Sequence, residues 1–154
     1  MTQSILFVCL GNICRSPSAE AVLRAKARDR GLDLTLDSAG TGDWHVGDPP
    51  YGPMQKAGAA RGYDLSGLRA RQVSVEDFYR FDLILAMDPS NYANLEALRP
   101  EDATAQLEMF TDYLDEPGVS EVPDPYHTRD FDGTLDLVER AAEGMLVEMK
   151  NVFR

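Results

Sequence analysis

Four short apolar runs, separated by stretches with helical periodicity, constrain the fold of this 154-residue chain more than any other feature. Strands that alternate with helices are typical of a parallel sheet that is covered on both faces. The apolar runs are residues 5–8, 34–39, 83–87 and 106–110. We therefore predict a single α/β domain over residues 1–154, built on a four-stranded, doubly wound parallel sheet with helices on both faces.

Five helices are expected between and after these strands. Ser and Asp side chains precede several of them and can accept hydrogen bonds from the free N–H groups of the first turn. Gly31 and Gly62 are expected to end the first two helices. The predicted helices are 16–30 with Ser16 as cap, 50–62 with Asp48 as cap, a short helix capped by Ser74, 89–98 opened by Asp88, and 132 to the C-terminus, where Leu135, Val138, Ala142, Met145, Leu146, Met149 and Phe153 form an apolar stripe.

The loop between the first strand and the first helix reads Cys9-Leu-Gly-Asn-Ile-Cys-Arg-Ser16. A strand that breaks into such a loop and then opens a helix collects backbone N–H groups at a positive helix end, which predicts an anion cradle. The same N–H groups would stabilise a Cys9 thiolate, and Arg15 can grip two phosphate oxygens. Ser16 can also donate its hydroxyl to the sulfur. These residues favour phosphoryl transfer through a cysteinyl-phosphate.

Composition excludes several other classes of function. The net charge is −11, with 26 acidic and 15 basic residues, so a nucleic-acid backbone would be repelled. No apolar run approaches the roughly 20 residues that a membrane span needs. Two cysteines five residues apart suit neither a secreted disulfide framework nor a zinc site. We therefore expect a soluble, intracellular protein with reduced thiols, no metal and no nucleic-acid or membrane partner.

The longest irregular segment, Thr111–Asp130, follows the fourth strand and carries four Pro or Gly residues. Long loops within compact domains tend to be functional. In an open parallel sheet, ligands bind beyond the carboxyl ends of the strands, and the Cys9 loop follows the first strand in the same way. Both loops are therefore expected to face one crevice.

The octet from Cys9 to Ser16, followed by Pro17, resembles the signature loop of the low-molecular-weight protein tyrosine phosphatases. The resemblance continues through 37–41, 70–72, 87–88 and 124–126, and so covers essentially the whole chain. It implies a cytoplasmic enzyme with a flavodoxin-like fold that uses neither metal nor cofactor. It also implies a phosphotyrosine-containing protein as substrate, and we expect a monomer or weak dimer.

The resemblance also implies roles for individual residues. Asp124 would protonate the departing phenolate oxygen and later take a proton from water. Trp44 and Tyr126 would form the walls of a slot for the phosphotyrosine ring. Cys14 would protect Cys9 through a reversible disulfide, as family members do, or is only a small filler in the loop. Independently of the resemblance, Asn12 stands where a cramped loop needs a left-handed backbone conformation, which asparagine tolerates, and it is expected to brace the loop. The expected substrate-binding residues are Leu10, Gly11, Asn12, Ile13, Cys14, Ser16, Trp44 and Tyr126, with Leu10 and Ile13 at the base of the slot.

Two positions depart from the pattern of the resembled family. Leu68 stands where many members carry a histidine that helps to brace the loop asparagine, so that part of the brace must be absent or rebuilt. His127 replaces a second aromatic residue that follows the acid motif in several relatives. It can alter peptide preference or be a solvated histidine. His45, beside Trp44, is a candidate for the rim of the site without an assigned role.

Three alternatives compete with this interpretation. Phosphoarginine phosphatases resemble this loop but tend to carry threonine where this chain has Ile13, which favours phosphotyrosine. Arsenate reductases need further cysteines downstream, and none follows Cys14. A non-catalytic phosphopeptide-binding or redox-sensing module would be expected to lack Cys9, Arg15 or Asp124, all of which are present.

Overall fold

The computed structural model describes residues 3–152, with side chains through Met149. Its centre is a four-stranded sheet in which every pair of neighbours is parallel and the order is β2-β1-β3-β4. This arrangement confirms the predicted parallel sheet. The strands are β1 (Gln3–Cys9), β2 (Leu34–Gly40), β3 (Leu83–Ala86) and β4 (Gln106–Met109).

Helices cover both faces of the sheet, as predicted. Because side chains alternate along a strand, Ile5 and Phe7 of β1 face one apolar core while Leu6 and Val8 face another. The first core is shared with α1, α2 and α6, and the second with α3 and α4. The helices are α1 (Arg15–Asp29), α2 (Gly52–Ala60), α3 (Asp77–Arg80), α4 (Pro89–Leu98), α5 (Pro125–Thr128) and α6 (Phe131–Val152), with a 3-10 turn at Phe110–Tyr113.

Three of the predicted caps are wrong, and for Ser16 and Asp48 the reason is a contact with another part of the chain. The N-cap of α1 is Cys14, and the Ser16 hydroxyl lies beneath the loop. The N-cap of α2 is Tyr51, not Asp48, whose carbonyl oxygen instead accepts the N–H of Ala70. Ser74 precedes α3 by a turn, since that helix begins at Asp77. The prediction for α4 is confirmed, with Asp88 Oδ1 accepting the N–H of Asn91 at 2.7 Å.

Helix α6 begins at Phe131, one residue before the predicted start, and packs against α1, α2 and the 3-10 turn. The predicted apolar stripe from Leu135 to Met149 is buried, whereas Phe153 lies outside the described residues. Gly144 allows the helix to approach closely, because a Cβ at this position would overlap the carbonyl oxygen of Tyr113. The helix is thereby held against the turn that leads into the long loop.

Strands β3 and β4 each end one residue earlier than predicted, at Ala86 and Met109. Phe110 begins the 3-10 turn, and α5 forms within the segment that was expected to be irregular. Within residues 3–152, no helix is both long and apolar enough to cross a membrane.

Candidate active site

The loop between β1 and α1 is held from outside through its carbonyl groups. A Cβ on Gly40, at the end of β2, would come within 2.7 Å of the Leu10 carbonyl oxygen, so only glycine permits this close approach. The surrounding chain thus binds the carbonyl groups of the loop, and the anion cradle expected from the sequence would use the loop N–H groups. Three backbone N–H groups donate to carbonyl oxygens of the loop at a distance of 2.9 Å: Thr41 to Cys9, Gly42 to Leu10, and Tyr51 to Ile13.

The sulfur of Cys9 lies beneath this cradle. Its Sγ is 3.0 Å from the hydroxyl oxygen of Ser16 and accepts the N–H of Asn12 over 3.3 Å. The Asn12 amide donates to the same Ser16 oxygen at 2.8 Å, and the Ser16 hydroxyl lies at 3.0 Å from the sulfur and at 3.4 Å from the carbonyl oxygen of Ala39. The backbone N–H of Asn12 and the hydroxyl of Ser16 are therefore both within hydrogen-bond distance of the nucleophilic sulfur.

Asn12 braces the loop, and its φ of 58° is the left-handed conformation that the sequence predicted. Its side-chain amide donates to Ser16 and, over 3.0 Å, to the Ser38 hydroxyl in β2. Its oxygen accepts the backbone N–H of Arg71 over 3.0 Å. The loop is therefore connected to both β2 and the segment before α3.

This brace is complete although Leu68 replaces the histidine of the resembled family. The Ser38 hydroxyl, which accepts from Asn12, donates to the buried carboxylate of Glu20 over 2.8 Å. Burial raises the pKa of Glu20, and Arg24 at 2.8 Å provides a compensating charge. Leu68 is half-buried and lies three residues before Arg71 in the sequence. The backbone N–H of Arg71 supplies the remaining hydrogen bond to the Asn12 side chain.

The guanidinium of Arg15 is buried and fixed in position. It donates to Asp88 Oδ2 over 2.7 Å and to the carbonyl oxygen of Val122 over 3.0 Å. Burial alone would lower the pKa of Arg15, but Cys9 and Asp88 raise it overall. The sequence predicted Asp88 as a helix cap. Its second role, binding the Arg15 guanidinium, was not predicted because Arg15 is distant in sequence and close only in the fold.

Asp124 is the N-cap of α5 and lines the same pocket as Cys9 and Arg15. One carboxylate oxygen accepts the N–H of Tyr126 over 3.1 Å. The other lies 3.7 Å from an Arg15 nitrogen and 3.8 Å from Nε2 of His127. Since the side chain is partly exposed, the carboxyl group can reach both a substrate and water.

A cavity of about 160 Å³ joins these groups. Trp44 and Tyr126 both line it and are 70% and 46% exposed, so their side chains serve the pocket rather than the core. Asn12 and Ser16 do not line the cavity and act from beneath it. The lining residues are Cys9, Leu10, Gly11, Ile13, Cys14, Arg15, Trp44, His45, Asp124, Tyr126 and His127.

Three residues that the sequence did not single out support the Tyr126 wall. The rings of Tyr51 and Tyr126 are 5.2 Å apart, and Tyr51 also contacts the ring of Phe131. The guanidinium of Arg129 lies over both Tyr51 and Phe131 and donates to the Tyr51 hydroxyl over 3.1 Å. Their sequence signal is weak because the cluster joins Tyr51 to a segment more than 70 residues further along the chain.

Cys14 differs from Cys9 in its surroundings. Burial, with smaller contributions from Cys9 and Asp124, raises the pKa of the Cys14 thiol to about 12. Both cysteines are free thiols. Cys14 is therefore protonated at neutral pH, and its disulfide with Cys9 stays a prediction.

Comparison with known proteins places this site in a family. The family model described as low molecular weight phosphotyrosine protein phosphatase matches residues 4–153. The chain belongs to this family. It is 40% identical over 149 residues to the low molecular weight protein-tyrosine-phosphatase YfkJ of Bacillus subtilis, covering 96% of each chain. It is 46% identical over 133 residues to a family member of Schizosaccharomyces pombe, covering 82% of this chain and 84% of that one.

Solved structures of family members have the same fold. The crystal structure of YfkJ from Bacillus subtilis superposes with a TM-score of 0.94 at 38% identity, covering 100% of this chain and 98% of the other. A Drosophila protein described as an arginine phosphatase has a TM-score of 0.90 at 33% identity, covering 95% and 97%. The family fold therefore accommodates more than one named phosphatase activity.

Proposed function

We propose that this protein is a tyrosine phosphatase that hydrolyses phosphotyrosine, and small aryl phosphates, through a cysteinyl-phosphate. The observation that carries the proposal is the convergence of Cys9, Arg15 and Asp124 on one small pocket with aromatic walls. A nucleophile, a phosphate clamp and a proton donor are the three groups that this reaction needs.

In the first step, the Cys9 thiolate attacks phosphorus in line with the departing phenolate. A sulfur–phosphorus bond forms, the bond from phosphorus to the aryl oxygen breaks, and Asp124 donates its proton to that oxygen. Arg15 and the loop N–H groups stabilise the charge on the equatorial oxygens. Because Asp88 and the Val122 carbonyl already hold Arg15, little reorganisation accompanies the reaction.

In the second step, water attacks phosphorus and the Asp124 carboxylate takes its proton. The sulfur–phosphorus bond breaks, inorganic phosphate is released and the thiolate returns. The Ser16 hydroxyl, 3.0 Å from the sulfur, stabilises the thiolate as it leaves. One carboxyl group therefore serves as acid and then as base.

The walls of the pocket support phosphotyrosine as the substrate. An aryl ring fits between Trp44 and Tyr126, whereas phosphoserine is too short to bring its phosphate to Cys9 past them. Phosphoarginine is the second candidate, favoured by the structural likeness to the Drosophila arginine phosphatase. Ile13 offers no hydroxyl to orient the attacking water in that reaction, and so supports tyrosine.

The mechanism is tested with two leaving groups that differ in basicity. Phenolate needs a proton to depart far more than p-nitrophenolate does, so Asp124→Asn should lower kcat/KM for phenyl phosphate by about 10²–10⁴-fold and for p-nitrophenyl phosphate by much less. The ratio kcat/KM is used because it reports formation of the cysteinyl-phosphate and not its hydrolysis, which is the same for both substrates. Asp115→Asn is the matched control, since it removes the same charge from an exposed position in the same loop. Equal losses of kcat/KM on both substrates would contradict the role of Asp124 as proton donor.

Three further measurements complete the test. Cys9→Ser should abolish turnover, and EDTA should leave the wild-type rate unchanged. A panel of phosphotyrosine, phosphoarginine and phosphoserine peptides should give the highest kcat/KM for phosphotyrosine, and Ile13→Thr should improve phosphoarginine relative to it. Activity that persists in Cys9→Ser or requires added metal would refute the cysteinyl-phosphate mechanism.

We further propose that the enzyme is cytoplasmic and acts as a monomer or weak dimer on phosphoproteins. The two reduced thiols and the family to which the chain belongs support this location. The reversible disulfide of Cys9 with Cys14 belongs to the same proposal, because neighbouring thiols in one loop can protect the nucleophile from irreversible oxidation.

A further inference from the structure

A second cavity lies beside the active-site pocket. It has a volume of about 480 Å³ and is lined by residues 10, 41–42, 44, 72–73, 94 and 98. These positions come from the cradle loop, the segment after β2, the segment before α3, and α4. We call this cavity the uncharged groove.

The groove is continuous with the active site, because Leu10 and Trp44 line both cavities. The Trp44 ring lies directly on Gly42, where a Cβ would overlap three of its ring atoms. Leu10 is 39% exposed although it is an aliphatic residue. The two side chains therefore form an apolar ridge between the place of the phosphotyrosine ring and the groove.

The chemistry of the groove differs from that of the Asp124 side of the active-site pocket. None of its eight described lining residues is charged, although 27% of the chain is Asp, Glu, Lys or Arg. The exposed Asn94 amide can hydrogen-bond to a peptide backbone, as can the oxygen and the second N–H of the Gln72 amide, whose nitrogen already donates to the Thr41 carbonyl oxygen at 3.2 Å. Leu98 and Leu10 offer apolar surface. On the Asp124 side of the active-site pocket, by contrast, the Asp124 carboxylate lies 3.7 Å from the Arg15 guanidinium.

We propose that the uncharged groove binds the substrate segment next to the phosphotyrosine and selects an apolar side chain there over an acidic one. This inference rests on the proposed function and adds a peptide subsite to it. A bound substrate carries its flanking residues across the ridge, since each extended residue advances about 3.3 Å. The amides then meet the peptide backbone, and the ridge covers an apolar side chain.

An acidic side chain is disfavoured there for two reasons. A carboxylate that enters the groove loses water and finds no cationic side chain among the lining residues. The net charge of −11 adds general repulsion. The groove therefore favours an apolar side chain over an acidic one, both because it offers apolar surface and because it lacks a cationic side chain.

The test uses pairs of phosphotyrosine peptides that differ only in carrying Leu or Glu. In one pair the change is at the two positions before the phosphotyrosine, and in the other pair it is at the two positions after it. On at least one side, the Leu peptide should have a kcat/KM about tenfold above that of its Glu counterpart. Asn94→Lys places a cation in the groove and should raise kcat/KM for the Glu peptide several-fold, mainly through KM. Hydrolysis of p-nitrophenyl phosphate should stay the same, because this small ester does not reach the groove.

Gln106→Lys is the matched control, since it makes the same charge change at an exposed position at the start of β4, the opposite end of the sheet. Assays at 0.15 M salt suppress long-range attraction between the added charge and the substrate. Equal kcat/KM for the Leu and Glu peptides would overturn the subsite. So would an equal gain on the Glu peptide from Gln106→Lys and Asn94→Lys.

Failure of the proposed function gives a different result. In that case neither p-nitrophenyl phosphate nor any phosphotyrosine peptide is hydrolysed, and the subsite falls with the activity. When the subsite alone is wrong, all of these substrates are hydrolysed and the flanking residues have no effect.

Discussion

The side chain of Asn12 holds the cradle loop in place, and two substitutions separate its hydrogen bonds from its backbone conformation. Asn12→Gly removes the three hydrogen bonds to Ser16, Ser38 and Arg71. At about 1 kcal/mol each, their loss should lower the free energy of unfolding by about 3 kcal/mol. Asn12→Ala removes the same bonds and also places a Cβ at a φ of 58°.

The alanine variant should be the less stable of the two. The left-handed conformation costs alanine about 1–2 kcal/mol, against which glycine loses about 0.5–1 kcal/mol through its freedom in the unfolded chain. We therefore expect the free energy of unfolding of Asn12→Ala to be about 0.5–1 kcal/mol lower than that of Asn12→Gly. Urea titrations followed by far-UV circular dichroism measure both values. Both variants should lose about 100-fold in kcat/KM for p-nitrophenyl phosphate, because the N–H groups of the cradle are misplaced.

The ordering of the two variants is the decisive result. An alanine variant as stable as the glycine variant would show that the positive φ carries no cost and that the loop has another conformation. A loss below about 1 kcal/mol in both would refute the brace itself, since even one lost hydrogen bond accounts for that much.

Three other measurements probe separate parts of the molecule. Gly144→Ala should lower the free energy of unfolding by about 1–3 kcal/mol through steric overlap with a backbone carbonyl, whereas Gly52→Ala, with open space around its Cβ, should raise it slightly. Iodoacetamide at pH 7 should alkylate Cys9 and not Cys14, whose thiol has a pKa of about 12, and equal labelling of both would contradict this assignment. Burial raises the pKa of Glu20 in the folded protein, so the contribution of Glu20 to the free energy of unfolding should fall as the pH rises through that pKa. Glu20→Gln should lack this decline in urea titrations across pH, and parallel curves for the two proteins would refute it.

The alternation of strands and helices was readable from the sequence because it depends on local periodicity. The core face of α6 and the cap at Asp88 were predicted for the same reason. The start of α2 was not, because Tyr51 is placed by its hydrogen bond to Ile13 in the cradle loop and not by the nearest capping side chain. Ser16 similarly serves the Cys9 sulfur instead of a helix end.

More of the residues that line the pocket were predicted than of the residues that hold them in place. Cys9, Arg15 and Asp124 lie in recognisable motifs, and they meet because the loops after β1 and β4 both leave the carboxyl end of one parallel sheet. Asp88 acts on Arg15 across 73 positions of sequence, and Ser38 meets Asn12 across 26. Such contacts leave no local pattern, since neither residue type nor spacing distinguishes them from surface polar residues.

The fixed position of Arg15 has a consequence for inhibition by the reaction product. The ion pair with Asp88 and the bond to the Val122 carbonyl hold the guanidinium before any ligand arrives. A cradle that is already formed recognises the phosphoryl group alone, so released inorganic phosphate competes with the next ester for the same site. Selective inhibitors therefore gain little from a phosphate mimic and must take their discrimination from the aromatic walls formed by Trp44 and Tyr126.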